Sequence, residues 1–129
     1  MKYIALTGIT QKAIDEMVRR GLKTFEICSP HNFIAILNVD VGDTVFITPI
    51  APEDIIPGTR GVLANVEKKS IYYQKSYQQT AHSSEETEHL SAKLQLRARE
   101  YSIIRDVQSA TLDRPIMVEV KKISYFDAF

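Results

Sequence analysis

Hydrophobic and polar positions alternate over several short stretches of this chain and recur at helical spacing over others. Residues 2 to 8, "KYIALTG", are short, apolar and closed by Gly8, the mark of a strand. Thr10 follows as a helix cap, with Ile9 and Ile14 at hydrophobic-staple spacing. Ala13, Ile14, Met17 and Val18 then repeat at helical spacing, while Asp15, Glu16, Arg19 and Arg20 fall on the opposite face. Gly21 stands where a left-handed residue stops a helix, and Arg19 and Arg20 favour the negative end of its dipole.

A strand "TFEI" comes next, with Phe25 and Ile27 on one face and Thr24, Glu26 and Cys28 on the other. Ser29-Pro30 opens a short helix "HNFIAIL", for which a strand is the alternative. "NVDVGD" is a turn, "TVFITPI" a strand, and "APEDIIPGTRG" a loop with at most one helical turn. "GVLANVEKK" alternates again and continues into "SIYYQKS". "YQQTAHSSEETEH" is polar without periodicity and predicts a long hairpin tip or mobile loop.

The plainest strand is "LSAKLQLRAR". Leu90, Ala92, Leu94, Leu96 and Ala98 form one face; Ser91, Lys93, Gln95, Arg97 and Arg99 form the other. Ser102 predicts a third helix, with a stripe of Ile103, Val107 and Ala110 and a stop at Pro115. "PIMVEVKKISYF" is the last strand. The expected order is β-α-β-α-β-β-β-α-β, an α+β domain with about three helices built on a small curved sheet or barrel.

Composition narrows this picture. The chain of 129 residues fits one domain, and 44% hydrophobic with 25% charged residues describes a globular protein. Lys plus Arg equals Asp plus Glu at 16 each, so the whole molecule has no net attraction for phosphate, and nucleic-acid binding would need a local patch. A single cysteine excludes an internal disulfide and favours the cytoplasm. The apolar start is too short for a signal peptide, and "FIAIL" at 33 to 37 is far too short to span a bilayer, so no membrane association is expected.

One set of motifs carries a resemblance. The helix followed by Gly21-x-Lys23-Thr24-x-Glu26, then Val41-Gly42-Asp43 and Gly61-Val62 each opening a strand, resembles the ASCH branch of the PUA-like β-barrel superfamily over residues 12 to 73. The family signature runs Gly-x-Lys-x-x-Glu-x-Arg; here Cys28 occupies the arginine position, so one cation of the family's ligand face is missing. The opening "MKYIALTGI", the segments "SPHN" and "GDTVF", and the ending "SYFDA" resemble a small archaeal family of uncharacterised proteins, a domain of unknown function. The superfamily resemblance implies a barrel with a cleft that holds RNA or a modified base. Some ASCH-like enzymes are amidohydrolases using lysine, threonine and glutamate, but there the lysine precedes the threonine by a gap of two, whereas Lys23 and Thr24 are adjacent.

Candidate chemistry falls in three places. Lys23, Thr24 and Glu26 can contact a ligand or, in a hydrolase, provide the reacting groups; equally they are a solvated strand edge after a capped helix. The second place is basic and aromatic: Arg60, Lys68, Lys69 and Lys75 stand against Glu67 alone between residues 60 and 82, interleaved with Tyr72, Tyr73 and Tyr77. Such tyrosines can stack bases, or pack in a strand as core. Lys93, Arg97 and Arg99 extend this patch if their strand pairs antiparallel with the one before the loop. Arg60, between Gly58 and Gly61, can reach a phosphate over a cleft.

The third place is His82, Glu86 and His89, which would line up as metal ligands only on a helix; a solvated acidic loop is the simpler reading, and no metal is expected. Cys28 with His31 reads as a small buried hydrophobe beside a histidine, or as a thiolate pair. No Walker or Rossmann glycine pattern occurs, so no nucleotide cofactor is expected. Three function classes remain: a non-catalytic module binding RNA or a nucleobase-like ligand; a small amidohydrolase acting on a nucleoside-like amide; and an interaction domain, a homodimer using strand edges and the aromatic tail Tyr125, Phe126 and Phe129.

Overall fold

The structure, a computed structural model, describes residues 2–27, 29–79, 84–109 and 114–125, with the backbone alone at 74–79, 84–90, 109 and 124–125. Its elements run β1 (Lys2–Leu6), α1 (Gln11–Arg20), β2 (Leu22–Ile27), α2 (Pro30–Leu37), β3 (Thr44–Ile47), a 3₁₀ turn (Pro52–Asp54), β4 (Arg60–Gln79), β5 (Ser84–Ser109) and β6 (Met117–Tyr125). Among the described residues it is a mixed α+β chain with two α-helices, not three.

The helices start and stop where the sequence places them. The Thr10 hydroxyl accepts from the Ala13 N–H at 3.2 Å, and the Gly21 N–H donates to the Met17 carbonyl at 2.7 Å. Gly21 has φ 81°, a left-handed conformation that few other residues adopt without strain. Ser29 caps α2, accepting from the Asn32 N–H at 3.5 Å, with Pro30 in the first turn.

The strands form one sheet in the order β2-β5-β4-β3-β1-β6. β1 and β3 are parallel; the other pairs are antiparallel. β5 has β4 along one edge. Its other edge is shared, first by β2 between Ala92 and Arg97, then by β6 from Glu100 to Ser109. The pairings through β5, β4, β3, β1 and β6 therefore return to β5 as a ring, with β2 appended.

Two hydrophobic clusters lie on opposite faces of the shared strands. One joins Leu6, Val45, Ile47, Val62 and Ala64 to Ile14 and Met17 of α1, Ala35 and Ile36 of α2, and Phe25, Leu94 and Leu96. The other, on the ring side, joins Tyr3, Ala5, Phe46, Leu63, Ile104, Ile116 and Val118. Alternation along each strand sends successive residues into different cores, which is why "TVFI" is apolar at Val45, Phe46 and Ile47 alike.

The segment expected to be a third helix is the end of β5. Ile103, Ile104 and Val107 pair with Lys121, Val120 and Val118 of β6, and the β-branched residues there suit a strand as well as a helical stripe. The polar stretch expected as a hairpin tip or loop is also largely strand: backbone pairing extends to Gln79 and Ser84, a two-stranded ribbon beyond the ends of β2 and β3. Here cross-strand hydrogen bonding overrides a sequence with no hydrophobic period. The polypeptide contains no helix long and apolar enough to cross a membrane among the described residues.

Candidate functional site

The first candidate triad is divided by the pleat of β2. Lys23 pairs with Leu96 and Phe25 with Leu94, so Lys23 stands on the buried side of the strand. Its ammonium donates to Glu16 of α1 at 2.7 Å and lies 6.0 Å from the centre of the Phe25 ring. The Lys23 ammonium holds the Glu16 carboxyl below its ordinary range, through the hydrogen bond first and then its charge. Thr24 and Glu26 are exposed on the other face, opposite Gln95 and Lys93. The structure thus joins Thr24 and Glu26 to β5 and turns Lys23 away from both.

The basic-aromatic candidates divide in the same way. Lys93 and Arg97 share the exposed face with Thr24, Glu26, Lys68 and Tyr72. The Lys93 ammonium is 5.5 Å from the Tyr72 ring centre, and Arg97 Nε donates to Glu67 at 2.8 Å. Arg99 donates to the Asn65 side chain at 3.3 Å. Lys69 and Tyr73 pair with Leu94 and Leu90, on the other face; the Lys69 ammonium donates to the Val39 carbonyl at 2.7 Å, and Tyr73 is exposed.

Arg60 is at the far end of β4, paired with Ile103, seven positions along β5 from the partner of Lys23. It is the one residue of the predicted set that borders the main cleft. His82 and Cys28 lie outside the described residues, as do Phe126 and Phe129; Glu86, His89, Tyr77 and Tyr125 are described in backbone alone. Among the described residues no group of three His, Cys, Asp or Glu side chains could hold a metal ion.

The cleft, about 1160 Å³, opens where α1 begins, β3 ends and β4 begins. Gln11 and Ile14 contribute from α1, Pro49, Ile50 and Ala51 from the segment after β3, and Ile56 to Val62 from the turn into β4. Tyr101 and Ser102 of β5 and Ile123 of β6 complete it.

Backbone and hydroxyl bonds fix this geometry. Thr48, fully buried, donates from its hydroxyl to the Arg60 carbonyl at 3.0 Å and accepts from the Ile50 N–H at 3.3 Å. That ties the two walls together. The turn is pinned to β5 by the Gly58 N–H donating to the Ile104 carbonyl at 2.8 Å and the Ile104 N–H donating to the Thr59 carbonyl at 2.9 Å. Gly58 has φ 95°, again a left-handed residue.

The lining is mostly apolar, with a few polar groups: Gln11, Asp54, Thr59, Arg60 and Ser102. That mixture suits a planar, partly apolar ligand oriented by a small number of hydrogen bonds. Behind Ser102 on the same face of β5 is Glu100, only 2% exposed, whose Oε1 accepts from the Lys122 ammonium at 3.2 Å. Glu100 Oε2 and Ser102 Oγ are buried without a hydrogen-bond partner among the described residues.

Sequence reasoning reached Arg60 but not Tyr101, Ser102 or Ile123. One signal was available: Glu100 and Ser102 are polar at the even-numbered positions that carry Leu94, Leu96 and Ala98 just before them. Reading a helix from Ser102 hid it.

A family model described as a protein of unknown function, DUF473, matches residues 1–118. The chain belongs to the DUF473 family. This DUF473 chain is 34% identical over 96 residues to an uncharacterised protein, MJ0105, of Methanocaldococcus jannaschii. The alignment covers 74% of the chain and 60% of that archaeal relative, so the chain spans less than two thirds of its length. No solved structure matches the DUF473 chain.

Proposed function

We propose that this DUF473 protein is a PUA-like binding module whose cleft takes a nucleobase-like ligand, free or at the end of an RNA strand, without transforming it. The observation that carries this reading is the cleft: about 1160 Å³, apolar on most sides, with Tyr101 in its wall and Arg60 at its edge. Small-molecule sites commonly occupy about 300–1,000 Å³, so a base with its sugar and phosphate fits this space. A tyrosine face can stack a base for about 1–3 kcal/mol. A guanidinium pairs with phosphate through parallel hydrogen bonds. The ring of strand pairings supports the PUA-like assignment, as do the ASCH-like segments at Gly61-Val62, in β4 and in the lining of the cleft, and at Val41-Gly42-Asp43, before the other end of β3.

Equilibrium titration of the purified protein with nucleosides, their 5′-monophosphates and short single-stranded RNA tests the reading. Binding by at least one class is expected, with the monophosphate tighter than the nucleoside. Arg60→Ala should remove the advantage of the phosphate while leaving nucleoside affinity intact. Absence of binding by all three classes at millimolar ligand would overturn it.

A further inference from the structure

Most of β5 buries apolar residues, yet two polar side chains face the ring interior beside the cleft. Ser102 borders the cleft and is fully buried; Glu100 is the preceding residue on that face, about 7 Å along the strand. A register shift places Glu100 opposite Leu63 and Ala98 opposite Ala64, skipping Arg99. This bulge carries β5 from the face packed on the helices to the ring side. Polar groups in such a position ordinarily find hydrogen bonds, because a buried one left unpaired is destabilising. Glu100 Oε1 has Lys122; Glu100 Oε2 and Ser102 Oγ have no partner among the described residues.

The chemistry of these atoms restricts what completes them. An ionised carboxylate oxygen only accepts, and a serine hydroxyl brings two lone pairs for one proton. The partner that completes Glu100 Oε2 must therefore be a hydrogen-bond donor, which an N–H group supplies, while Ser102 Oγ can take a donor beside it. Lys122 already answers the charge of Glu100, so a neutral donor is better matched than a second cation. Gly61 lies directly opposite Ser102 on β4, and both residues line the cleft.

We propose that Ser102, lining the cleft, and Glu100, buried behind it, form a specificity-determining floor that selects a planar neutral ligand edge with two neighbouring N–H donors, the edge presented by guanine. This rests on the cleft being a nucleobase site, and it names which base. Glu100 Oε2 and Ser102 Oγ are both closed to solvent, so contact with a base requires side chains around the cleft to move, a common adjustment on binding.

Four ligands decide it: guanosine, inosine, adenosine and N-acetylarginine amide, titrated against wild type, Ser102→Ala and Glu100→Gln. Inosine lacks only the 2-amino donor. Wild type is expected to prefer guanosine over inosine and adenosine by about tenfold, the scale of one paired hydrogen-bond contact to a base. Both variants should lose most of that preference. Ser102→Ala should melt no lower than wild type, since it removes a hydroxyl without a partner, so its lost selectivity cannot be a folding defect.

Nucleosides that bind with equal affinity, or a preference that survives both substitutions, overturn the floor while leaving the cleft as a nucleobase site. Tighter binding of the arginine amide than of guanosine overturns the neutral edge. Failure of every ligand, alongside failure of monophosphates and RNA, removes both readings together.

Discussion

The ring of Phe46 occupies the space in which a side chain at residue 61 would stand. A Cβ built on Gly61 lies 2.7 Å from Phe46 Cε2 and 2.5 Å from the Ile47 carbonyl oxygen. Neither neighbour can withdraw: Phe46 is fully buried in the ring-side core, and the Ile47 carbonyl belongs to β3, which pairs here with β4. Gly61→Ala should destabilise the protein by about 1–3 kcal/mol, the usual result of forcing a methyl into a filled core. Chemical denaturation measures it, and Gly61→Val should be worse. An alanine variant as stable as wild type would mean that this contact yields more readily than backbone packing allows.

Asn32 predicts a second large effect. Its side chain is 4% exposed and bridges the loop after β1: the Thr7 N–H donates to Oδ1 at 3.0 Å, and Nδ2 donates to the Thr7 carbonyl at 2.7 Å. Asn32→Ala orphans both backbone groups, so a loss of about 2–4 kcal/mol is expected. Asn32→Asp sets a second acceptor against the Thr7 carbonyl and buries a charge, so at neutral pH it should lose at least as much as alanine, as read from paired melting curves.

The Lys23–Glu16 pair predicts a pH dependence. Glu16 is held below its ordinary value of 4.5 by the bond to Lys23 at 2.7 Å. A carboxyl whose folded pKa is depressed stabilises the fold fully above the unfolded value. That contribution declines as pH falls below about 4.5 and is gone once the pH passes the folded value. Glu16→Gln should therefore differ from wild type in stability at neutral pH and converge with it in acid. Parallel melts from pH 7 to pH 2 check this; a constant difference across that range would show that the loss is one of packing.

Separation of faces supplies a further expectation. Lys93 and Arg97 lie on the exposed side of β5, and neither borders the cleft. Replacing both with Ala should leave guanosine affinity within about twofold, because the ion pair of Arg97 with Glu67 is exposed and such pairs contribute only about 0–1 kcal/mol. Loss of nucleoside binding in this variant would move the site from the cleft to the sheet face.

How much of this was legible in the sequence follows from the physics of each element. Thr10, Gly21, Ser29 and Pro30 act through local bonds and torsions, and both helices stand where those residues put them. The alternation from Leu90 to Ala98 reports burial on one side, and the observed core contains Ala92, Leu94 and Leu96. After Arg99, β5 changes face at a bulge, and no local pattern announces that. Ile103 and Val107 satisfy a helical stripe and a strand equally; β6, pairing from a distance, decides between them.

The site suffered from the same non-locality. Lys23, Thr24 and Glu26 are neighbours in sequence, but the pleat gives Lys23 to Glu16 and the other two to solvent. Ser102 meets Gly61 and Ile50 only because β4 and β5 are paired and Thr48 ties the segment after β3 to Arg60.

Phe46 and its neighbours Val45 and Ile47 face different cores from a strand of four residues. A partition so thin leaves no seam along which the molecule can be cut: whatever loosens one chamber strips the lining from the other. Neither half can be excised as an autonomous fragment, and a protease that severed β3 would release both at a single stroke.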